Sequence, residues 1–184
     1  MAVAVVLALT GNNPVGWAQE RWRDLTVDLE PIEGVTAGAW PRGTVAATYD
    51  VGKLPGPRQS AWATEWPAGA EGTDSCGRGP AAGAVVLRWD EPTRVRGLDV
   101  WAGLDAGNES RDRQPRPRVL AVSWDDQCVR LPLDDTPDRQ SLEFDTVSEV
   151  DALLVKVDDV YPSTSTPPED LVAIGGVDVL HQPG

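Results

Sequence analysis

From residue 84 to the end of the chain, apolar and polar residues alternate with a period of two, and this alternation restricts the fold more than any other feature. Successive side chains of a β-strand point to opposite faces, so the pattern is typical of strands with one buried and one solvated face. It covers residues 85–89, 98–100, 120–124, 129–133, 142–144, 153–157 and 172–179. No segment after residue 60 has the period of an amphipathic helix of useful length, so an all-β fold is predicted.

Glycines interrupt the alternation at two places. The pattern changes phase at Gly97, which predicts a β-bulge, and again at Gly175-Gly176. Upstream, residues 35–40 and 61–66 are expected to add one or two strands. Short polar breaks between strands predict an antiparallel jelly-roll β-sandwich, as one domain over residues 31–184.

The connections between these strands sort into two ends, because consecutive antiparallel strands alternate in direction. The breaks at 91–93, 125–127 and 146–151 are expected at one end, and residues 67–83, 104–117, 134–139 and 159–171 at the other. Long loops on a rigid scaffold are where binding function usually lies. We therefore predict that the long loops 67–83, 104–117 and 159–171 lie together and form a ligand-binding face.

Three polar residues of that face are the candidate ligand contacts: Asn108, Arg116 and Tyr161. An amide, a guanidinium and a phenol can satisfy the hydroxyl groups of a sugar, which aliphatic side chains cannot. Each has a structural alternative. Asn108 is equally suited to a turn, Arg116 to pairing with nearby carboxylates, and Tyr161 to packing within its loop.

The N-terminus differs from the rest of the chain. Residues 1–9 are uniformly apolar, but a membrane-spanning helix needs about 20 such residues. The segment also lacks the basic start of a secretory signal. Trp17, Arg21, Trp22 and Arg23 follow, a combination typical of a membrane interface. We predict that residues 1–30 are a membrane-proximal stalk or a truncated transmembrane segment that packs poorly on the sandwich; the alternative is a frayed apolar start.

Charge and histidine content exclude several classes of function. A net charge of −13, which no group of lysines and arginines offsets, argues against nucleic acid as a partner. The single histidine, His181, lies close to the C-terminus, which argues against a histidine-based triad or a multi-histidine metal site. Several pairs of carboxylates are adjacent in sequence, but neighbouring strand residues point to opposite faces. No motif indicates a nucleophile or a base, so we predict a non-catalytic domain and keep a carboxylate-based glycosidase as a lesser alternative.

The two cysteines, Cys76 and Cys128, lack the Cys-x-x-Cys spacing of a zinc site and are either a disulfide or two free thiols. An extracytoplasmic domain with two cysteines usually pairs them, so we predict the disulfide. Because Cys128 begins a strand at the end opposite the ligand-binding face, the loop that carries Cys76 has to fold down the side of the sheet.

Asp50, in the sequence ATYDVG, is the candidate ligand for a calcium ion, since calcium takes oxygen atoms from aspartate and backbone carbonyls in irregular loops. The alternative is a turn aspartate that caps its own backbone. No other cofactor is predicted.

Among the 8 tryptophans, Trp89 and Trp124 are in phase with the strand cores. Four others lie near strand ends or loops, where an indole face suits a sugar ring: Trp40, Trp62, Trp66 and Trp101.

Four segments of residues 36–180 resemble the NADase-type glycan-binding domain, a relative of the discoidin (coagulation factor 5/8 type C) modules of the galactose-binding-like superfamily. The segments are TAGAW…AATYDVG…QSAWATEW, AVVLRWDEPTRVRGLDVWAG, RQPRPRVLAVSW and VDDVYPSTSTPPEDLVAIGGVDV. The chain departs from relatives at Val51-Gly52, where they have Gly directly after the Asp, and at Gly176, where some have a calcium-binding Glu.

This resemblance implies a jelly-roll fold and glycan binding at the surface of bacterial cells, sometimes beside a membrane helix. It implies no NADase activity, because the enzyme of that name is a neighbouring domain. Together, the residues and the resemblance predict a non-catalytic, extracytoplasmic binding module, tethered through its N-terminus, for a glycan or cell-envelope polysaccharide. The alternative is a structural or protein-interaction ectodomain of a membrane protein.

Overall fold

The computed structural model describes residues 29–40, 49–56, 61–66, 76 and 83–183, with only the backbone of residues 40 and 145–148. The predicted stalk, with Trp17 and Trp22, lies outside these ranges apart from residues 29 and 30. The described chain contains eight strands and one 3₁₀ turn, Val51–Lys53. The strands are β1 (Glu30–Pro31), β2 (Thr36–Trp40), β3 (Trp62–Glu65), β4 (Ala84–Ala102), β5 (Arg116–Trp124), β6 (Gln127–Pro132), β7 (Arg139–Tyr161) and β8 (Leu171–His181).

The predicted all-β, antiparallel fold is confirmed. The strand order is β1-β8-β4-β7-β5-β6, with β2 beside β4 and β3 beside β8. Every pairing of these strands is antiparallel, and an isolated parallel bridge joins Pro55 to Val177. Both strands predicted upstream, within residues 35–40 and 61–66, are present as β2 and β3. No helix among the described residues is long and apolar enough to cross a membrane.

The two longest strands each belong to both layers of the sandwich. Residues 84–88 of β4 pair with 152–156 of β7 beside β2, whereas residues 97–101 pair with 139–143 beside β8. One layer is therefore β2, the first part of β4, the second part of β7, β5 and β6. The other layer is β1 and β3 at one edge, then β8, the second part of β4 and the first part of β7.

This arrangement corrects two predicted breaks, at residues 91–93 and 146–151. Both lie inside continuous strands, β4 and β7, where the register shifts between Arg88 and Thr93 and between Val95 and Gly97. The two strands bend together from one layer to the other, so they stay paired on both sides of the bend. The polar residues and Pro92 mark this bend rather than the end of a strand.

At both Gly97 and Gly175-Gly176, where the alternation changes phase in the sequence, the strand pairing is irregular in the structure. A register shift follows Val95 at Gly97, and a Cβ at Gly97 would lie 2.3 Å from the carbonyl oxygen of Leu142. A second shift lies opposite Gly175, where a Cβ would lie 2.6 Å from the carbonyl oxygen of Gly103. Only glycine allows the backbones to approach this closely without displacement.

The core lies between the two layers and is mainly aliphatic. Leu87, Leu98, Val122 and Ile174 are all completely buried, and burial of each such side chain stabilises the fold by about 1.5–3 kcal/mol. Trp89 and Trp124 are core residues, as predicted from their phase. The sandwich thus presents two ends to solvent, and the connections at these ends differ in length.

Candidate ligand-binding face

Three loops meet at one end of the sandwich: residues 103–115 after β4, 133–138 after β6 and 162–170 after β7. We call this end the loop face. Backbone hydrogen bonds join the two longer loops: the amides of Thr164 and Ser165 donate to the carbonyl of Asp112 over 3.0 and 3.1 Å, and that of Glu169 donates to the carbonyl of Arg113 over 2.7 Å. Residues 104–117 and 159–171 therefore lie together, as predicted.

Arg116, the first residue of β5, contacts all three loops of the loop face. Its Nε and Nη2 donate to the two carboxylate oxygens of Asp135 over 2.7 and 2.9 Å, and it also donates to the carbonyls of Gln114 and Pro162. This bidentate hydrogen bond lowers the pKa of Asp135 and raises that of Arg116. The Arg116 side chain is only 7% exposed. The structure therefore shows the alternative role considered for Arg116, pairing with a carboxylate, and this residue positions the loops rather than presenting donors to solvent.

Tyr161 lies directly across from Arg116 in the β5–β7 pairing. Its hydroxyl donates to the carbonyl of Leu133 over 2.9 Å, and the side chain is half-buried. Tyr161 therefore ties the start of one loop to the start of another.

Asn108 lies on the exposed surface of the loop after β4. Its Oδ1 accepts a hydrogen bond from the amide of Ser110 over 3.0 Å, which caps the local turn. Its side-chain nitrogen donates to no acceptor among the described residues. Of the three predicted ligand contacts, Asn108 is the one with a donor directed to solvent.

A chain of polar contacts around the buried Gln114, beneath the loop face, was not anticipated from the sequence. The Gln114 side-chain nitrogen donates to the Tyr49 hydroxyl over 3.1 Å and to Glu169 over 3.0 Å, and Arg113 lies 3.2 Å from the other oxygen of Glu169. Gln114 is 1% exposed, and its Oε1 has no hydrogen-bond partner among the described residues. Its partners are 65 and 55 residues away in sequence, so no local signal could have revealed this chain.

Asp50 lies beside this chain through its neighbour Tyr49. Its Oδ1 accepts a hydrogen bond from the amide of Gly52 over 3.0 Å and caps the 3₁₀ turn, which is the alternative role considered for it. No group of three or more histidine, cysteine, aspartate or glutamate residues within the described ranges could hold a metal ion. Calcium binding at Asp50 stays a prediction.

The described tryptophans are mostly core residues. Trp62 and Trp66 are each 4% exposed and do not present a face to solvent. Trp101 is partly exposed, in the layer that contains β8, and the side chain of Trp40 lies outside the described residues. Trp62 and Trp66 lie near strand ends because they pack in the core, and not because they form a surface for a sugar ring.

Of the loop of residues 67–83, only Cys76 and Gly83 are among the described residues. The amide of Trp66, the residue before this loop, donates to the carbonyl of Asp170 at the loop face. Cys76, however, forms a disulfide with Cys128, with their Cα atoms 5.8 Å apart, beside the turn between β5 and β6 at the opposite end. The expected disulfide is present, and Cys76 lies at the end of the sandwich that this pairing requires. Residues 67–75 and 77–82 lie outside the described residues, so the position of this loop beside the other two stays a prediction.

One pair of carboxylates lies on neighbouring strands of the sheet. Asp99 and Asp178 are directly opposite in the β4–β8 pairing. Burial, followed by the charge of Asp99, raises the pKa of Asp178. Asp99 accepts a hydrogen bond from Ser141 and lies 3.4 Å from Arg139. The ordered partners of Asp99 suit a structural role on the sheet.

Comparison with known proteins identifies the fold. No protein-family model matches the sequence, and neither does any curated protein. The structure is similar to the F5/8 type C domain of a Bacteroides fragilis protein, with a TM-score of 0.55 and 12% identity over 84% of this chain and 97% of that chain. It is also similar to a CBM32 module from Clostridium perfringens in complex with GalNAc-β-1,3-galactose, with a TM-score of 0.50 and 12% identity over 83% and 99% of the two chains.

A third similar structure is the arabinofuranosyltransferase AftD from Mycobacteria, with a TM-score of 0.57 and 15% identity. This match covers 84% of the present chain but only 12% of the transferase. At these identities the similarities establish the fold: a discoidin-like, galactose-binding-like β-sandwich. The resemblance drawn from the sequence is confirmed at that level.

Proposed function

We propose that the chain is a non-catalytic, extracytoplasmic module that binds a neutral glycan, such as a cell-envelope polysaccharide, at the loop face. The observation that carries the proposal is the fixed geometry of that face, where backbone hydrogen bonds and the Arg116–Asp135 pair hold three loops on a rigid sandwich. The fold shared with a module solved in complex with a disaccharide supports it.

The charge of the loop face favours a neutral ligand over an anionic one. Residues 103–115, 133–138 and 162–170 contain eight carboxylates and two arginines. Both arginines are engaged: Arg111 donates to the carbonyls of Ala102 and Leu104, and Arg113 pairs with Glu169. A uronate or sulfate group would therefore meet excess negative charge, whereas hydroxyl groups can donate to carboxylates.

The disulfide supports the extracytoplasmic location, because disulfides persist in oxidising compartments. Attachment to a membrane through residues 1–30 is part of the same proposal and rests on the tryptophan and arginine residues that follow the apolar start.

A glycan array probed with the full chain tests the proposal. We expect binding to neutral glycans, weaker binding to uronate-bearing glycans, and a loss of affinity in Asn108→Ala. Gln127→Ala is the matched control, an exposed amide at the opposite end of the sandwich. Binding confined to anionic glycans would refute the neutral-ligand claim, and a silent array with an intact fold would favour the protein-interaction alternative.

A further inference from the structure

The side-chain amide of Gln114 fixes the direction of the hydrogen bonds beneath the loop face. An ionised carboxylate such as Glu169, which pairs with Arg113, can only accept. The Gln114 nitrogen therefore donates one hydrogen to Glu169 over 3.0 Å and the other to the Tyr49 hydroxyl over 3.1 Å. The opposite orientation would place Oε1 against the carboxylate, and in the orientation present Oε1 is buried without a partner among the described residues. The Tyr49 oxygen is thus an acceptor, and its own hydrogen is left to donate.

The hydroxyl hydrogen of Tyr49 has no acceptor within the described ranges. The residue is half-buried and packs on the small apolar cluster that contains Leu104, from the loop after β4. The other tyrosine of the chain, Tyr161, differs because its hydroxyl donates to the carbonyl of Leu133. Tyr49 therefore offers a donor at the loop face that the described protein does not use.

Glu169 offers acceptor capacity at the same place. A carboxylate has about four lone-pair sites, and the described contacts use one on each oxygen: Gln114 lies at Oε2, and Arg113 lies 3.2 Å from Oε1. The side chain is 29% exposed, and the amide of Glu169 donates to the carbonyl of Arg113, which fixes the residue between the two longer loops. One nitrogen atom thus holds a phenol that can donate and a carboxylate that can accept.

We propose that Tyr49 and Glu169 together bind two neighbouring hydroxyl groups of one sugar ring. One ligand oxygen accepts the hydrogen of Tyr49, and the neighbouring hydroxyl donates to Glu169. Gln114 is 1% exposed, so it positions both groups without touching the ligand. A carboxylate or sulfate group of a ligand can accept from Tyr49 but has no hydrogen for Glu169, whereas an ammonium group can donate but not accept. The inference rests on the glycan binding proposed for the loop face and identifies a diol as the group recognised there.

Calorimetric titration of the full chain tests this pair, with GalNAc-β-1,3-galactose and a panel of other neutral oligosaccharides as probes. Tyr49→Phe should weaken binding about tenfold, because one ligand oxygen loses its donor. Glu169→Gln keeps the shape of the side chain but replaces one acceptor oxygen by a donor, and should weaken binding by at least as much. Thr36→Val is the matched control. It removes a hydroxyl that donates to the carbonyl of Arg88, near the bend of β4, and should bind like the wild type.

An NMR measurement separates contact with the ligand from a role in holding the loops together. The chain contains two tyrosines, so labelling the tyrosine Cζ atoms with ¹³C gives two signals, which either phenylalanine variant assigns. We expect a saturating glycan to move the Tyr49 signal more than the Tyr161 signal, because the Tyr161 hydroxyl already donates to the protein.

Two outcomes separate this inference from the function on which it rests. If the wild type binds a neutral glycan but the Tyr49 signal stays in place, or the folded Tyr49→Phe variant binds as tightly, the inference is overturned and the proposed function stands. If the folded wild type binds no neutral glycan, both are overturned.

Discussion

The two ends of the sandwich use their carboxylates in opposite ways. At the loop face, Asp135 pairs with Arg116 at the start of β5, and Glu169 pairs with Arg113 of a neighbouring loop. At the turn end, which is the opposite end with the β5–β6 turn and the bends of β4 and β7, Asp125, Glu149 and Asp151 have no cationic partner among the described residues. Long loops lose much conformational entropy when they become ordered, and cross-loop pairs offset part of that cost. The turn end is built from a tight turn and bent strands whose backbone pairing already orders them, so its carboxylates are left for other contacts.

The largest predicted effect concerns the disulfide beside the β5–β6 turn. Cys76→Ser/Cys128→Ser should lower the free energy of unfolding by about 4 kcal/mol, because the bond closes a loop with a sequence separation of 52 residues and restricts the unfolded chain. Urea denaturation measures this, and reduction of the wild type is the matched control. A loss below about 1 kcal/mol would show that the bond does not constrain the unfolded state as the loop-entropy argument requires.

A smaller loss is expected from Asp135→Ala. It leaves the Arg116 guanidinium buried without its carboxylate and should cost about 2 kcal/mol, a value moderated by the 37% exposure of the Asp135 side chain. Asp134→Ala, the exposed neighbour, should change stability by less than about 0.5 kcal/mol, and Glu149→Ala at the turn end should do the same. Equal effects at positions 135 and 149 would abolish the contrast between the two ends.

The stability that the Arg116–Asp135 pair provides at the loop face should depend on pH. The hydrogen bond from Arg116 lowers the pKa of Asp135 in the folded chain, so its stabilisation is present above the unfolded value of about 3.9 and is lost as the pH falls through the folded value. The stability difference between wild type and Asp135→Ala should therefore shrink below about pH 4. A difference that stays constant down to pH 2 would contradict this assignment.

Asp178 should show the smallest effect and the opposite sign. Burial, followed by the charge of Asp99, raises its pKa, so its contribution is present at low pH and is lost as the pH rises through the folded value. Asp178→Asn should raise the Tm at pH 7 and have no effect below about pH 3, where the wild-type carboxyl is protonated in both states. Thermal melts at both pH values measure the difference; a lower Tm at pH 7 would contradict the assignment.

Much of the fold was predictable because β-strand burial leaves a local record. The alternation around Leu87, Val122 and Val155 identifies each strand, and these side chains are completely buried. The alternation does not show where a strand ends. Pro92 and its polar neighbours resemble a loop, yet β4 and β7 bend together there and keep their pairing.

The candidate site was less predictable, because side-chain direction and partners are not local. Strand order placed Asn108, Arg116 and Tyr161 at one end, where the structure also has them. The sequence left open whether Arg116 meets a ligand or a carboxylate, and its partner Asp135 comes from another loop.

NMR shift mapping on the labelled chain tests the central claim, the binding of a neutral glycan at the loop face, most directly. The probes are GalNAc-β-1,3-galactose and a panel of other neutral oligosaccharides, compared with glycans that carry a uronate group. We predict saturable shifts at residues 103–115, 133–138 and 162–170, with weaker binding of the uronate glycans. Saturable shifts at the turn end instead, or no binding of any neutral glycan by the folded chain, would contradict the claim.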